Sequence, residues 1–438
     1  MEKNKGREKN IERKNYISAQ IDQEDEDSLL AATMMAQVPR TLSSNCSIFR
    51  VPPRLRYNGD EKVYEPCIIS IGPYHHGKEN LKAMEEHKNR YLRSLLNRLT
   101  PIKRTLKHIV RAIRELEEDA RACYAEPINL TSDEFVKMMV LDGSFIIELF
   151  YRCYEPVVAN DPIYTSSWMY SSMRLDLALL ENQLPQLVLQ CIYSLTRHPG
   201  SCSCSLNQLV CYFMTPSSQY ENTSYNSAFK ANHILDVLRN HLFPLPRSME
   251  NDSESIHEYT QYSATDLWEA GVQFKKKDSK YGLLDITFSD EGVLEIPSFF
   301  VSDTWIVYLP NIIALEQCRR DYENRVTSYV ILLDGLINTK DDVKLLRDKK
   351  IINVMWKEDE LIATEIGNLC SKGAFIKRFG YDDLCRRMNA HHRTDWNRWR
   401  SNLRRNYFNT PWASLSFVAA VVLLLLTFLQ TIFSILSY

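Results

Sequence analysis

Two adjacent histidines, His75 and His76 in the run GPYHHG, are the residues of this sequence best suited to chemistry. An imidazole titrates near neutral pH, so either ring could act as a general base or bind a metal. A metal would need two or three further donors, and Glu79, Glu85, Glu86 and His87 stand nearest along the chain. Glu85, Glu86 and His87 are consecutive, so on a helix they fan out instead of converging. A turn held by packing is the expected role of both histidines. Glu181 in LLENQLP is a third candidate, as an acid–base partner for His75 and His76. Its setting favours a structural role: Glu181, Asn182 and Gln183 precede a helix started by Pro185 and can accept from N–H groups left open there.

His198, Cys202, Cys204 and Cys211 form the one Cys/His cluster, spaced H-x3-C-x-C-x6-C. Common zinc sites pair C-x2-C units, so thiols without metal are the expected reading. Asp142-Gly143-Ser144 lacks the G-x-S-x-G setting of a hydrolase nucleophile. Neither G-x-G-x-x-G nor G-x4-G-K-[ST] occurs, and 13 glycines in 438 residues leave little material for phosphate-cradling loops. No catalytic, cofactor-binding or metal residue is assigned on these grounds.

The elements that would position these residues are mostly helical. Leu81, Met84, Tyr91, Leu92, Leu95, Leu96 and Leu99 make one apolar stripe at helical spacing, and Leu106, Ile109, Val110, Ile113 and Leu116 repeat it after Pro101. Thr131 and Glu134 fit a capping box that opens a third helix. Arg174–Leu195 is apolar nearly all round and is expected to be the buried centre, split by Pro185. Tyr64–Gly77 reads as a short strand closed by a turn. Residues 271–301 alternate or are β-rich around the turn signal Asp290-Glu291-Gly292, which predicts a small antiparallel meander. Residues 1–40 change from basic to the acidic run DQEDED and read as a disordered charged tail. Residues 217–261 read as a long variable loop around a helix over 227–242.

The net charge of −2 argues against a nucleic-acid binder. Eleven cysteines without a framework, and an N-terminus without an apolar signal, suggest a reduced cytosolic setting. At the other end, Ala413–Leu436 is apolar on every face. About 20 such residues span a hydrocarbon core of roughly 30 Å. A C-terminal transmembrane helix over 412–436 is therefore expected. Arg398, Arg400, Arg404 and Arg405 precede it, which places that flank and everything before it in the cytosol, as in a single-pass tail-anchored protein. Gln430 inside the span offers a contact for a homodimer.

FRVPPRLRYN, YEPCIISIGPYHHGKENLKAMEEHKNRYL, LDGSFIIELF and LLENQLP occur here in order, followed by LWEAGVQFKKK, LLDITFSDEGVLEIPSFFV, NIIALEQC, DDVKLLRDKKIINVMW and YFNTPWASLSFVAA. This ordered set resembles the plant domain-of-unknown-function 247 family (UPF0481 type) from about Cys46 to the C-terminus. The resemblance implies a mainly helical family domain over 46–405, no established biochemical activity, and membership of a group with links to pollen–stigma recognition, defence and development. The expectation is a mainly α, membrane-anchored plant protein that recognises an unknown protein partner without catalysis. An enzyme built on His75, His76 and Glu181 is the alternative, and a membrane scaffold dimerising through Gln430 is a second one.

Overall fold

The computed structural model describes residues 27–35, 46–56, 63–99, 102–154, 161–197, 203–215, 229–245, 258–278, 282–319, 321–354, 358–370, 376, 378–393 and 411–436. The chain divides into two units, Met1–Cys46 and Ser47–Tyr438. In the first unit the described residues 27–35 form a short helix exposing Leu29, Leu30, Met34 and Met35. The rest of the expected disordered tail lies outside the described residues.

The second unit is mainly helical. Its first half comprises α1 (Ala83–Asn97), α2 (Ile102–Glu115), α3 (Glu117–Ala122), α4 (Ser132–Tyr154), α5 (Pro162–Thr165), α6 (Ser167–Asp176), α7 (Gln186–Thr196), α8 (Leu206–Met214) and α9 (Ile234–Leu242). Helix α4 is the central one, packed against α1, α2, α7 and α8. Thr131 and Glu134 open it as the capping box predicts: Thr131 N–H donates to Glu134 Oε2 at 2.9 Å, and Glu134 N–H reaches back to Thr131 Oγ1. From Phe135 to Tyr151 it is buried on nearly every face. The sequence placed the buried centre at Arg174–Leu195. That stretch is indeed interior, but Leu177–Pro185 is non-helical and α7 begins only after Pro185.

Among the described residues the second half holds α10 (Ala264–Glu269), five strands, and the helices α11 (Asp303–Cys318), α12 (Arg325–Leu336), α13 (Lys340–Asp348), α14 (Asp359–Cys370), α15 (Asp382–Arg393) and α16 (Pro411–Leu436). The expected antiparallel meander at 271–301 is a mixed sheet instead. Strand β1 (Gln273–Lys277) pairs in parallel with β3 (Val293–Pro297), and β2 (Thr287–Phe288) pairs antiparallel with β3, giving the order β1-β3-β2. Strand β4 (Phe299–Val301) leaves this sheet and pairs in parallel with β5 (Ile352–Val354), a partner the sequence did not signal. The turn Asp290–Gly292 is present, with Gly292 at φ 79°.

The C-terminal expectation requires correction. Helix α16 carries described side chains only at Ser416 and over Ala419–Ile432. Among the described residues no helix is long and apolar enough to cross a membrane. The tail anchor, the membrane as a partner, the cytosolic orientation and the Gln430 dimer scaffold therefore lose their support. Arg398, Arg400, Arg404 and Arg405 lie outside the described residues. Arg386, Arg387 and Arg393, upstream of them, are engaged on α15, with Asp383, Asp290 and Gln261 respectively.

Gly143 sets the separation of α4 from α7. A Cβ placed there would stand 2.4 Å from Ile192 Cδ1. Gly143→Ala is expected to cost about 1–3 kcal/mol through overpacking. Adding Ile192→Val, which removes that atom, should make the double variant more stable than the two single losses sum to. Denaturant titration of all four proteins measures this coupling.

Candidate functional site

The run Cys67–Gly72 enters the interior without joining a sheet, so the strand expected there does not form. Its backbone groups still need partners once water is excluded. Side chains supply them. Asp176, the last residue of α6, accepts from the N–H groups of Cys67 at 2.8 Å, Ile68 at 2.8 Å and Ile69 at 2.9 Å. Asn182 accepts from Ile71 N–H at 2.7 Å and donates to Ile69 O at 3.1 Å. Asp142 of α4 accepts from Gly72 N–H at 2.9 Å. Lys88 of α1 donates to Ser70 O at 2.6 Å.

Lys88 and Asp142 are fully buried, with 2.7 Å between Nζ and Oδ1. The ammonium also donates to Glu85 at 2.6 Å, so two hydrogen bonds and the ion pair with Asp142 hold it. Burial opposes its charge, but Asp142 and then Glu85 hold Lys88 above the usual lysine range. Burial pushes Asp176 up to about 6 against the pull of its three N–H donors.

Beyond Gly72 and Pro73 the chain turns, and His75 and His76 part company. His76 is exposed. His75 is 2% exposed and faces Glu181, which is 1% exposed, with 3.6 Å between Nε2 and Oε2. Burial, followed by Lys78, lowers His75 to about 4, with Arg50 and Arg56 adding to the effect and Glu65 opposing it. The ring is therefore neutral near pH 7, and its contact with Glu181 is not an ion pair. Among the described residues, both ring nitrogens and Glu181 Oε2 are buried without a hydrogen-bond partner. Glu181 Oε1, in contrast, accepts from Val51 N–H at 2.8 Å and Arg56 Nη2 at 2.6 Å. Arg50 Nη1 lies 3.5 Å from Oε2.

The triplet LLENQLP is structural, though not in the expected way. Glu181, Asn182 and Gln183 do not serve the start of α7. They accept from Val51, Ile71 and Leu235, binding three distant segments to one loop. Among the described residues no three His, Cys, Asp or Glu side chains are grouped to hold a metal ion. His198 and Cys202 lie outside those residues, Cys204 is disulfide-bonded, and Cys211 is buried on α8. At His75 and Glu181, the guanidinium groups of Arg50 and Arg56 also make a poor setting for a cation. The sequence pointed to His75 and Glu181 but missed Lys88, Asp176, Arg50 and Arg56. Lys88 carries a signal: with Met84, Tyr91 and Leu95 it falls on the apolar stripe of its own helix.

Over residues 48–426 the chain matches DUF247, described as plant protein of unknown function. The chain belongs to this family. It is 29% identical to a UPF0481 protein of Arabidopsis thaliana, over 90% of this chain and 87% of that protein. A putative UPF0481 protein of the same plant is 24% identical over 88% of this chain and 89% of its own length. No solved structure matches.

Two predictions follow from this geometry. Asp142→Ala strands a buried lysine and should cost about 3–5 kcal/mol. Lys88→Met added to it should recover part of that loss in denaturant titrations. For His75, the folded pKa is below the unfolded value of about 6.5. Between about 6.5 and 4 the unfolded chain binds the extra proton, so the stability His75 contributes is complete above 6.5 and is lost as pH falls through that window. Asp176 has the opposite sign, so the informative quantity is the difference between variants. The stability of wild type relative to His75→Gln should decline from pH 7 to pH 4.5; a flat difference would show that His75 titrates normally.

Proposed function

We propose that this chain is a non-catalytic recognition protein that acts by binding another protein. The supporting observation is how its buried carboxylates are used. Asp142 serves Gly72 and Lys88, Asp176 serves three backbone N–H groups, and Glu316 of α11 serves Val326, Thr327 and Arg239. A general acid or base must reach the proton it moves. These groups are committed to the fold. The loop at 217–261, expected as the variable surface, is described only over 229–245, which holds α9, and over 258–261, and those residues add nothing to this reading.

One observation favours an enzyme as the second reading. His75 and Glu181 do converge, and three of their polar atoms have no partner. The two readings separate on a single variant. Proteins captured from plant tissue with the full chain are purified one at a time and titrated against it. The recognition reading expects a direct partner with a Kd of about 1 μM or tighter, and His75→Gln binding within about twofold of wild type. If the purified chain instead depletes a compound from a plant metabolite extract, and a folded His75→Gln variant does not, the protein is an enzyme.

A further inference from the structure

Arg50 is held loosely for a residue beside a buried carboxylate. Among the described residues its one short hydrogen bond runs from Nε to Glu126 Oε2 at 2.9 Å, and both partners are near half exposed. Such exposed pairs hold weakly against solvent. Nη2 reaches Tyr74 O only at 3.5 Å, and Nη1 stands 3.5 Å from Glu181 Oε2 without bonding it. The Tyr74 ring, 4.6 Å below the guanidinium, fixes its plane.

Arg56 lies alongside, committed to Glu181 at 2.6 Å and still 27% exposed. One buried carboxylate thus draws two guanidinium groups to the surface, while the neighbouring His75 is uncharged. Among the described residues Glu126 is the only other acid paired with them. Lys78 is occupied by Glu65 at 3.3 Å. The Nε–Nη2 edge, held by one half-exposed ion pair at Nε and a 3.5 Å contact at Nη2, matches an incoming carboxylate, which a guanidinium binds through two parallel N–H donors.

We propose that Arg50, backed by Arg56 and oriented by Tyr74, receives a carboxylate from an acidic peptide segment of a protein partner, in exchange for Glu126. This rests on the recognition reading above and names the chemistry of the partner. The anchor is built from the buried Glu181, so the position of the fork is set by the core. The exchange breaks one solvent-exposed ion pair and forms a two-point contact.

Calorimetric titration of the full chain at low salt with hexaglutamate, and separately with inorganic phosphate, tests the assignment. Hexaglutamate should bind wild type, and Arg50→Gln should weaken it at least tenfold. Arg50→Lys, which keeps the charge but loses the fork, should give an intermediate loss. Glu126→Gln should tighten binding about three- to tenfold. Arg111→Gln removes the same charge from an exposed site on α2 and should change it less than twofold. Equal losses for Arg50→Gln and Arg111→Gln, or no gain from Glu126→Gln, would overturn the site. Tighter, Arg50-dependent binding of phosphate than of hexaglutamate would also overturn the assignment, in favour of a phosphate group. No binding of either probe would remove this site while leaving the recognition reading in place, since a partner could dock elsewhere.

Discussion

A peptide segment buried outside any sheet must have its donors and acceptors satisfied by something other than a neighbouring strand. Residues 69–72 are such a segment, and their partners come from α1, α4, α6 and the loop before α7. Each of these contacts positions a helix as well as satisfying a backbone group. Breaking one leaves a desolvated polar atom, which costs about 1–3 kcal/mol and more where a charge is involved. The first half of the unit is assembled around this requirement.

The same device recurs in the second half. Glu316 accepts from Val326 N–H, Thr327 N–H and Thr327 Oγ1, so a side chain of α11 caps the start of α12. Asp342 accepts from the backbone of Thr265 and Thr339, joining α10 to α13. Asn311 of α11 accepts from Leu180 N–H and donates to Val63 O, both at 2.9 Å, which links the two halves. Buried polar groups of this kind fix register and neighbour choice where apolar packing alone tolerates alternatives. At the rim of the network, near Glu181, its charged members reach solvent, and a recognition surface there inherits a rigid foundation.

Much of the helical half was legible because an amphipathic period is a local signal. The α1 stripe, the Thr131 capping box and the break at Pro185 all appear where the spacing placed them. The strands were less legible. A parallel pair such as β4 with β5 joins residues some fifty positions apart, and nothing local at Ile352 announces its partner. Tyr64–Gly77 misled for a related reason: its composition is that of a strand, but its ladder is made of side chains from Asp176, Asn182 and Asp142. Of the candidate site, His75 and Glu181 stood out by residue type. Arg50 and Arg56 did not, because their meaning depends on a carboxylate more than a hundred residues away.

Amide hydrogen exchange at Ile69, Ile71 and Gly72 tests the central claim most directly. If side chains replace a sheet ladder there, these amides open only with the whole domain, and their exchange free energies should equal the global unfolding free energy from denaturant titration. Exchange at the rate of an ordinary surface loop, well below the global value, would contradict the account.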